Sequence, residues 1–117
     1  MANPNIVNVS SILGKTDTFA LTTSSANLVT ATANTVFKIN SILVTNIDGT
    51  NAADVTVNYN DGTNTRAIGS TISVPADATL NLVDKNSTFY LMENQSIIGG
   101  ASANSDLEVI IAYEDIS

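Results

Sequence analysis

Val36-Phe37-Lys38-Ile39-Asn40-Ser41-Ile42-Leu43-Val44-Thr45-Asn46-Ile47 runs directly into Asp48-Gly49-Thr50-Asn51, and Asp54-Val55-Thr56-Val57-Asn58-Tyr59-Asn60 follows. A long apolar-rich strand, a tight polar turn and a strictly alternating strand are the signature of an antiparallel β-domain. The first segment is twelve residues long, about twice the common strand length of five or six, which predicts a bend near Asn40-Ser41. A second turn of the same chemistry, Asp61-Gly62-Thr63-Asn64, closes the alternating strand. The flanks of the two turns do not match, so the likeness is one of turn chemistry and not an internal repeat.

Working outward, the same rhythm continues to both ends. Towards the N-terminus, short strands are expected at Ile6-Val7-Asn8-Val9, Thr18-Phe19-Ala20-Leu21-Thr22 and Leu28-Val29-Thr30-Ala31, with Ser24 to Asn27 breaking the pattern. Towards the C-terminus, Arg66 to Val74 alternates weakly and stops at Pro75-Ala76-Asp77, since proline cannot donate to a ladder. Thr79 to Leu82 and Thr88 to Met92 flank a polar turn at Asp84 to Ser87, and Gly99-Gly100 is expected to interrupt Ser96 to Ala103. The last strand is the cleanest. Leu107, Val109, Ile111 and Tyr113 alternate with Asp106, Glu108, Ile110, Ala112 and Glu114. No stretch carries a 3.6-residue apolar period beyond two turns. Eight or nine strands at spacings of roughly 8 to 14 residues predict an all-β, antiparallel β-sandwich, jelly-roll-like or Ig-like. Its core is expected from Val55, Val57, Tyr59, Leu107, Val109, Ile111 and Tyr113.

Composition agrees. The 117 residues suit one domain over 1–117 that folds without staples. Fifteen Asn and fifteen Thr stand against six aromatic residues, which suits half-exposed strands joined by many turns. The net charge of −7 disfavours nucleic acid and anionic membranes, because both are bound through Lys and Arg. Lys15, Lys38, Arg66 and Lys85 form no basic patch along the chain. The absence of cysteine is compatible with synthesis and folding in a reducing cytoplasm. The N-terminus does not read as a signal peptide, and no apolar run reaches the ~18 residues of a membrane span, so the expected route out of a cell is lysis.

Chemistry has little to work with. Without His or Cys, the Ser-His-Asp and Cys-His arrangements and the usual zinc sites cannot form. A carboxylate pair would have to come from acids such as Glu93, Glu108 and Glu114, and the last two fall on the polar face of a strand. No catalytic residue, cofactor or metal site is therefore expected. Calcium is the better rival, since Asp48, Asp54, Asp61 and Asp77 fall in or near loops. The EF-hand spacing is absent, and Asp-Gly-Thr is also ordinary turn sequence. Tyr90 is the best candidate for an exposed aromatic platform, with Phe89 and Leu91 on the opposite face.

Near the C-terminus the pattern becomes specific. Tyr90-Leu91-Met92-Glu93-Asn94-Gln95-Ser96-Ile97 leads through Gly99-Gly100-Ala101-Ser102-Ala103 to the strand Leu107-Glu108-Val109. It resembles the closing hairpin of small virion proteins of tailed bacteriophages, in which Leu-x-Glu-x-x-Ser-Ile leads into Ala-Ser-Ala and a last strand ending near Tyr-Glu. Ala2 to Val9, Ser41 to Val57 and Ile72 to Leu80 look like the marine cyanophage branch of that group, so the similarity covers nearly the whole chain. Where such proteins read Glu-Gly-Asp-Ser-Ile, this chain has Glu93-Asn94-Gln95-Ser96-Ile97.

The resemblance implies a β-sandwich and a structural part in the virion. The expected role is a capsid decoration or cement protein, seated on the capsid surface as a homo-oligomer, a trimer among the options. Its partners would be the major capsid protein or other virion proteins. The other readings are a neck, collar or tail-attached protein, and a calcium-dependent carbohydrate-binding module for adsorption. Residues 1–13 form the expected attachment arm, with Ile6, Val7, Val9, Ile12 and Leu13 as its contact residues.

Overall fold

A computed structural model describes residues 9–117. Nine strands occur in them: β1 (Ile12–Ala20), β2 (Ala26–Thr30), β3 (Val36–Asn46), β4 (Ala53–Asn60), β5 (Thr65–Val74), β6 (Thr79–Val83), β7 (Phe89–Leu91), β8 (Ser96–Ala101) and β9 (Leu107–Ile116). They form two antiparallel sheets. One runs β1-β9-β3-β6, with the short β7 also paired to β3, and the other runs β2-β8-β4-β5. This is an all-β sandwich. Its strand order decides between the two expected variants in favour of the jelly roll, the double Greek key wound from two four-stranded orders.

The pairing has a simple origin. β4 pairs with β5, β3 with β6 and β7, β2 with β8, and β1 with β9. Each of these ladders is centred between Gly62 and Asn64, so the chain is one long hairpin rolled into two layers. Its tip is the turn Asp61 to Asn64, in which Gly62 takes φ +94° and the Asp61 amide donates to the Asn64 carbonyl.

Between the layers lies one core. Ile39, Ile42 and Val44 of β3 and Leu107, Val109 and Ile111 of β9 face Val55 and Val57 of β4 and Ile97 of β8, all fully buried. Tyr113 is buried, while Tyr59 is only half-buried against this cluster. The bend expected near Asn40-Ser41 is a β-bulge: Ile39 opposes Tyr113 and Ser41 opposes Ala112, leaving Asn40 as the extra residue. Phe37 and Ile39 lie in one phase of the alternation, and Ile42 and Val44 lie in the other. One inserted residue returns all four to the core.

Two expectations are corrected, and the opening turn proves to have a special place. Val36–Ile47 and Asp54–Asn60 are neighbours in the chain, but β3 and β4 belong to different sheets. Asp48 to Asn51 is a corner between layers. The reason is Asn46, which is fully buried and pins that corner with its side-chain amide. Gly99-Gly100 does not interrupt a strand, since β8 runs straight through both residues. A Cβ on Gly99 would come within 2.6 Å of Leu28 Cδ1, and one on Gly100 within 2.9 Å of Ser25 Oγ. The glycines therefore allow the segment carrying β2 to approach closely. Finally, the first described strand starts at Ile12, well ahead of Thr18. Val9 lies outside any strand, and the rest of Ile6–Val9 falls outside the described residues. As an edge strand, β1 is exposed along most of its length and shows no buried alternation.

The weak alternation of Arg66 to Val74 has the same kind of cause. Register shifts occur between Val55 and Val57 and between Val57 and Asn58, so β5 carries extra residues against β4. Thr71 in this region takes φ +51°, a conformation costly for a β-branched side chain, while its amide donates to Thr56 Oγ1 at 3.0 Å. Thr71→Gly keeps that amide and removes the clash. We expect it to raise stability by up to about 1 kcal/mol, net of glycine's extra entropy loss, read as a higher urea midpoint at unchanged slope.

Candidate interaction surface

The acids that suggested calcium are used locally. Asp48 Oδ1 accepts the amides of Thr50 at 2.8 Å and Asn51 at 3.3 Å, and Asp61 Oδ1 accepts those of Thr63 at 2.9 Å and Asn64 at 2.6 Å. The same side chain does the same work in both turns, although one is a hairpin tip and the other a corner between sheets. Backbone donation from Thr50 and Asn51 holds Asp48 below its ordinary value of 3.8, and donation from Asn64 and Thr63 does the same for Asp61. Carboxyls depressed in the fold stabilise it above their unfolded value and lose that contribution as pH falls through the lower, folded value. Thermal midpoints should therefore drop as pH falls below about 4. In an Asp48→Asn/Asp61→Asn double variant, which still accepts the turn amides, that drop should be shallower. Among the described residues, no three His, Cys, Asp or Glu side chains come together at a point.

Two of the depressions on the described surface bear on the candidate residues. One, of about 540 Å³, is lined by Tyr59, Asp61, Arg66, Met92 and Gln95 among others. Its polar floor is internally satisfied. The Gln95 carbonyl oxygen accepts from the Tyr59 hydroxyl and, at 2.9 Å, from the Met92 amide. Burial and then the nearby Asp61 charge push the Tyr59 hydroxyl up. The second depression, about 400 Å³, lies where Thr18, Phe19 and Ala20 of β1 meet Glu108 and Ile110 of β9. Ile110 is 41% exposed here, on the side of the sheet away from the core. Tyr90 is exposed as expected, and it pairs in register with Lys38.

The residues expected to make contacts are divided by the fold. Ile6 and Val7 lie outside the described residues, and Val9 is half-buried just ahead of β1. Ile12 and Leu13 open β1 and are 59% and 54% exposed. They belong to a strand paired without a register shift to β9, from Ile12 opposite Ile116 to Ala20 opposite Glu108. The Ser10 and Ser11 amides both donate to the Ser117 carbonyl, at 2.7 and 3.0 Å, and tie the entry of β1 to the chain end.

Across β1 itself, Lys15 Nζ lies 2.9 Å from Asp115 Oδ2, and the Tyr113 hydroxyl donates to Asp17 Oδ2 at 2.6 Å. Burial, reinforced by that bond to Asp17, raises the Tyr113 hydroxyl far above its ordinary value. Its ring packs on Phe37 with centroids 4.8 Å apart. Sequence reading passed over Lys15 and Asp17. The signal available was their placement either side of Thr16 in a segment that is apolar at both ends. The outer edge of β1 has no paired strand among the described residues.

Asn94, in the turn between β7 and β8, takes the left-handed conformation with φ +65°. Asn tolerates this region better than most side chains, so the turn forms without glycine.

No family model and no curated protein sequence matches the chain. Among solved structures it is similar to a chain of the acid-stable capsid of Helicobacter pylori bacteriophage KHP30, with a TM-score of 0.54 and 10% identity over 94% of this chain and 90% of that one. A Drosophila NLP core, studied for pentamer formation and histone binding, aligns at TM-score 0.46 with 16% identity over 90% of this chain and 98% of that one. A chain of the cyanophage Pam1 capsid asymmetric unit aligns at 0.36 with 17% identity over 91% and 83%. At these identities the KHP30 likeness is one of fold.

Proposed function

We propose that this chain is a structural protein of a tailed-phage particle, bound to the outside of the capsid as a decoration or cement protein. The observation that carries the reading is the jelly-roll likeness to a chain of the KHP30 capsid over nearly the full length of both. It is supported by the resemblance of Tyr90 to Val109, and of Ala2 to Val9, Ser41 to Val57 and Ile72 to Leu80, to small phage virion proteins. The function is binding, without turnover. A protein that binds only the assembled shell stabilises it by mass action, so modest contacts repeated over many copies add up. An interface of roughly 800 Å² per partner is within reach of a domain this size.

Attachment is assigned to the segment ahead of β1, through Ile6, Val7 and Val9. Ile12 and Leu13 continue that apolar run into the strand. Contacts of this kind are expected to persist at high salt, because screening acts on exposed charges. Copy number per purified particle, measured by quantitative mass spectrometry, tests the reading. Hundreds of copies are expected. A dozen or so would move the protein to the neck or tail, and absence from particles would remove the virion role altogether.

A further inference from the structure

We infer that β1 is a self-association edge: two copies pair antiparallel through β1 about a two-fold axis at Thr16. The strand has nine residues, one ladder, and no second strand beside it among the described residues. Two of the usual devices that blunt an edge, proline and a bulge, are missing from it. What it has instead is one positive and one negative side chain, Lys15 and Asp17, placed symmetrically about Thr16.

Pairing β1 with itself about Thr16 puts Lys15 opposite the partner's Asp17 and Asp17 opposite the partner's Lys15. Leu13 then meets the partner's Phe19, Ile12 meets the partner's Ala20, and Gly14 meets the partner's Thr18. Every charged position finds its opposite, and every large apolar position finds an apolar neighbour. Cross-strand pairs of these types are the ones that stabilise antiparallel ladders. A foreign apolar strand would add no cross-strand partner to the intrachain contacts of Lys15 with Asp115 and Asp17 with Tyr113, so the same two residues that favour a second copy disfavour other edges. Ile12 and Leu13, 59% and 54% exposed in the single chain, are covered in the pair. The contact is isologous, closes after two copies, and joins two five-stranded sheets into one. It stands on β1 alone, and holds whether or not the protein sits on a particle.

The wild-type chain contains no cysteine, so single cysteines report register directly. Residues directly opposed in an antiparallel pair have Cα atoms about 4.5 or 5.5 Å apart, within the range a disulfide spans. Thr16→Cys should cross-link to a dimer under mild oxidation. Thr18→Cys places its two sulfurs four residues out of register, roughly 13 Å apart, and should not. Sedimentation equilibrium of the full-length protein near 0.15 M salt, where the Debye length is about 8 Å and the repulsion between two acidic copies is screened, gives the affinity.

Lys15→Asp and Asp17→Lys should each weaken the dimer about tenfold or more, and the double swap should restore it. Circular dichroism checks that each variant keeps its fold, and because the double swap does not rebuild the Lys15–Asp115 and Tyr113–Asp17 contacts, its recovery of the dimer separates cross-copy pairing from their loss. A wild-type monomer at every concentration, a trimer, equal cross-linking at Thr18→Cys, or a double swap no better than the single variants would each overturn the pairing.

Discussion

Val109→Asp is expected to destabilise the domain by at least about 4 kcal/mol, a large part of the 5–15 kcal/mol typical of a whole domain. Val109 is fully buried, opposes Phe19 on one side and Val44 on the other, and lies in the single core cluster. No cation faces it across the sheets in that cluster, so a carboxylate there would ionise without a partner or remain protonated in apolar surroundings. Ile110→Asp is the matched control. One residue along, Ile110 lies on the opposite face and is 41% exposed, so its loss should change stability by less than about 1 kcal/mol. Urea unfolding of both variants checks the pair. Equal effects would mean that β9 does not divide core from solvent as its alternation states.

Asn46→Ala should cost about 3 kcal/mol, more than a surface asparagine ever does. Its side-chain nitrogen donates to the carbonyls of Asn51 and Val74, both at 2.9 Å, and its oxygen accepts the Asp48 amide at 2.9 Å. One fully buried amide thus satisfies three backbone groups where β3 leaves its sheet and the chain crosses to β4. Alanine would leave the Val74 carbonyl buried without that donor, and the corner without its anchor. Asn46→Asp should fail as well, since a carboxylate can accept from Asp48 but cannot donate to either carbonyl. A variant as stable as wild type would show that the Asp48 to Asn51 turn holds the corner by itself.

Asn46 also illustrates where sequence reading stops. Asparagine is abundant in this chain, and most of its copies suit turns. Nothing local distinguishes the one whose amide is buried from the others, because burial there depends on Val74 arriving from another strand. The candidate surface divides in the same way. Exposed Tyr90 followed from its neighbours Phe89 and Leu91 facing the core. Exposed Ile12 and Leu13 were singled out as apolar residues near a terminus, but their place in an edge strand depended on β9 pairing with them. Lys15 and Asp17 were visible only as opposite charges flanking Thr16, and that placement acquired meaning when β1 became an edge.

Alternation along the chain pointed to an all-β sandwich, and it located β3, β4 and β9 and, in β4 and β9, the core-facing residues. That follows because a strand's two faces are set residue by residue, by the geometry of its own backbone. Which sheet each strand joins was decided only in three dimensions. Asp48 to Asn51 and Asp61 to Asn64 have the same sequence and the same carboxylate-to-amide bonds, yet only the second closes a hairpin. The difference lies in partners far along the chain: β3 is held by β9, β6 and β7, while β4 is held by β5 and β8. Gly99 and Gly100 look like a break until Leu28 and Ser25 press against them. Local geometry sets which side chains turn inward, and long-range pairing about the central turn decides what they meet there.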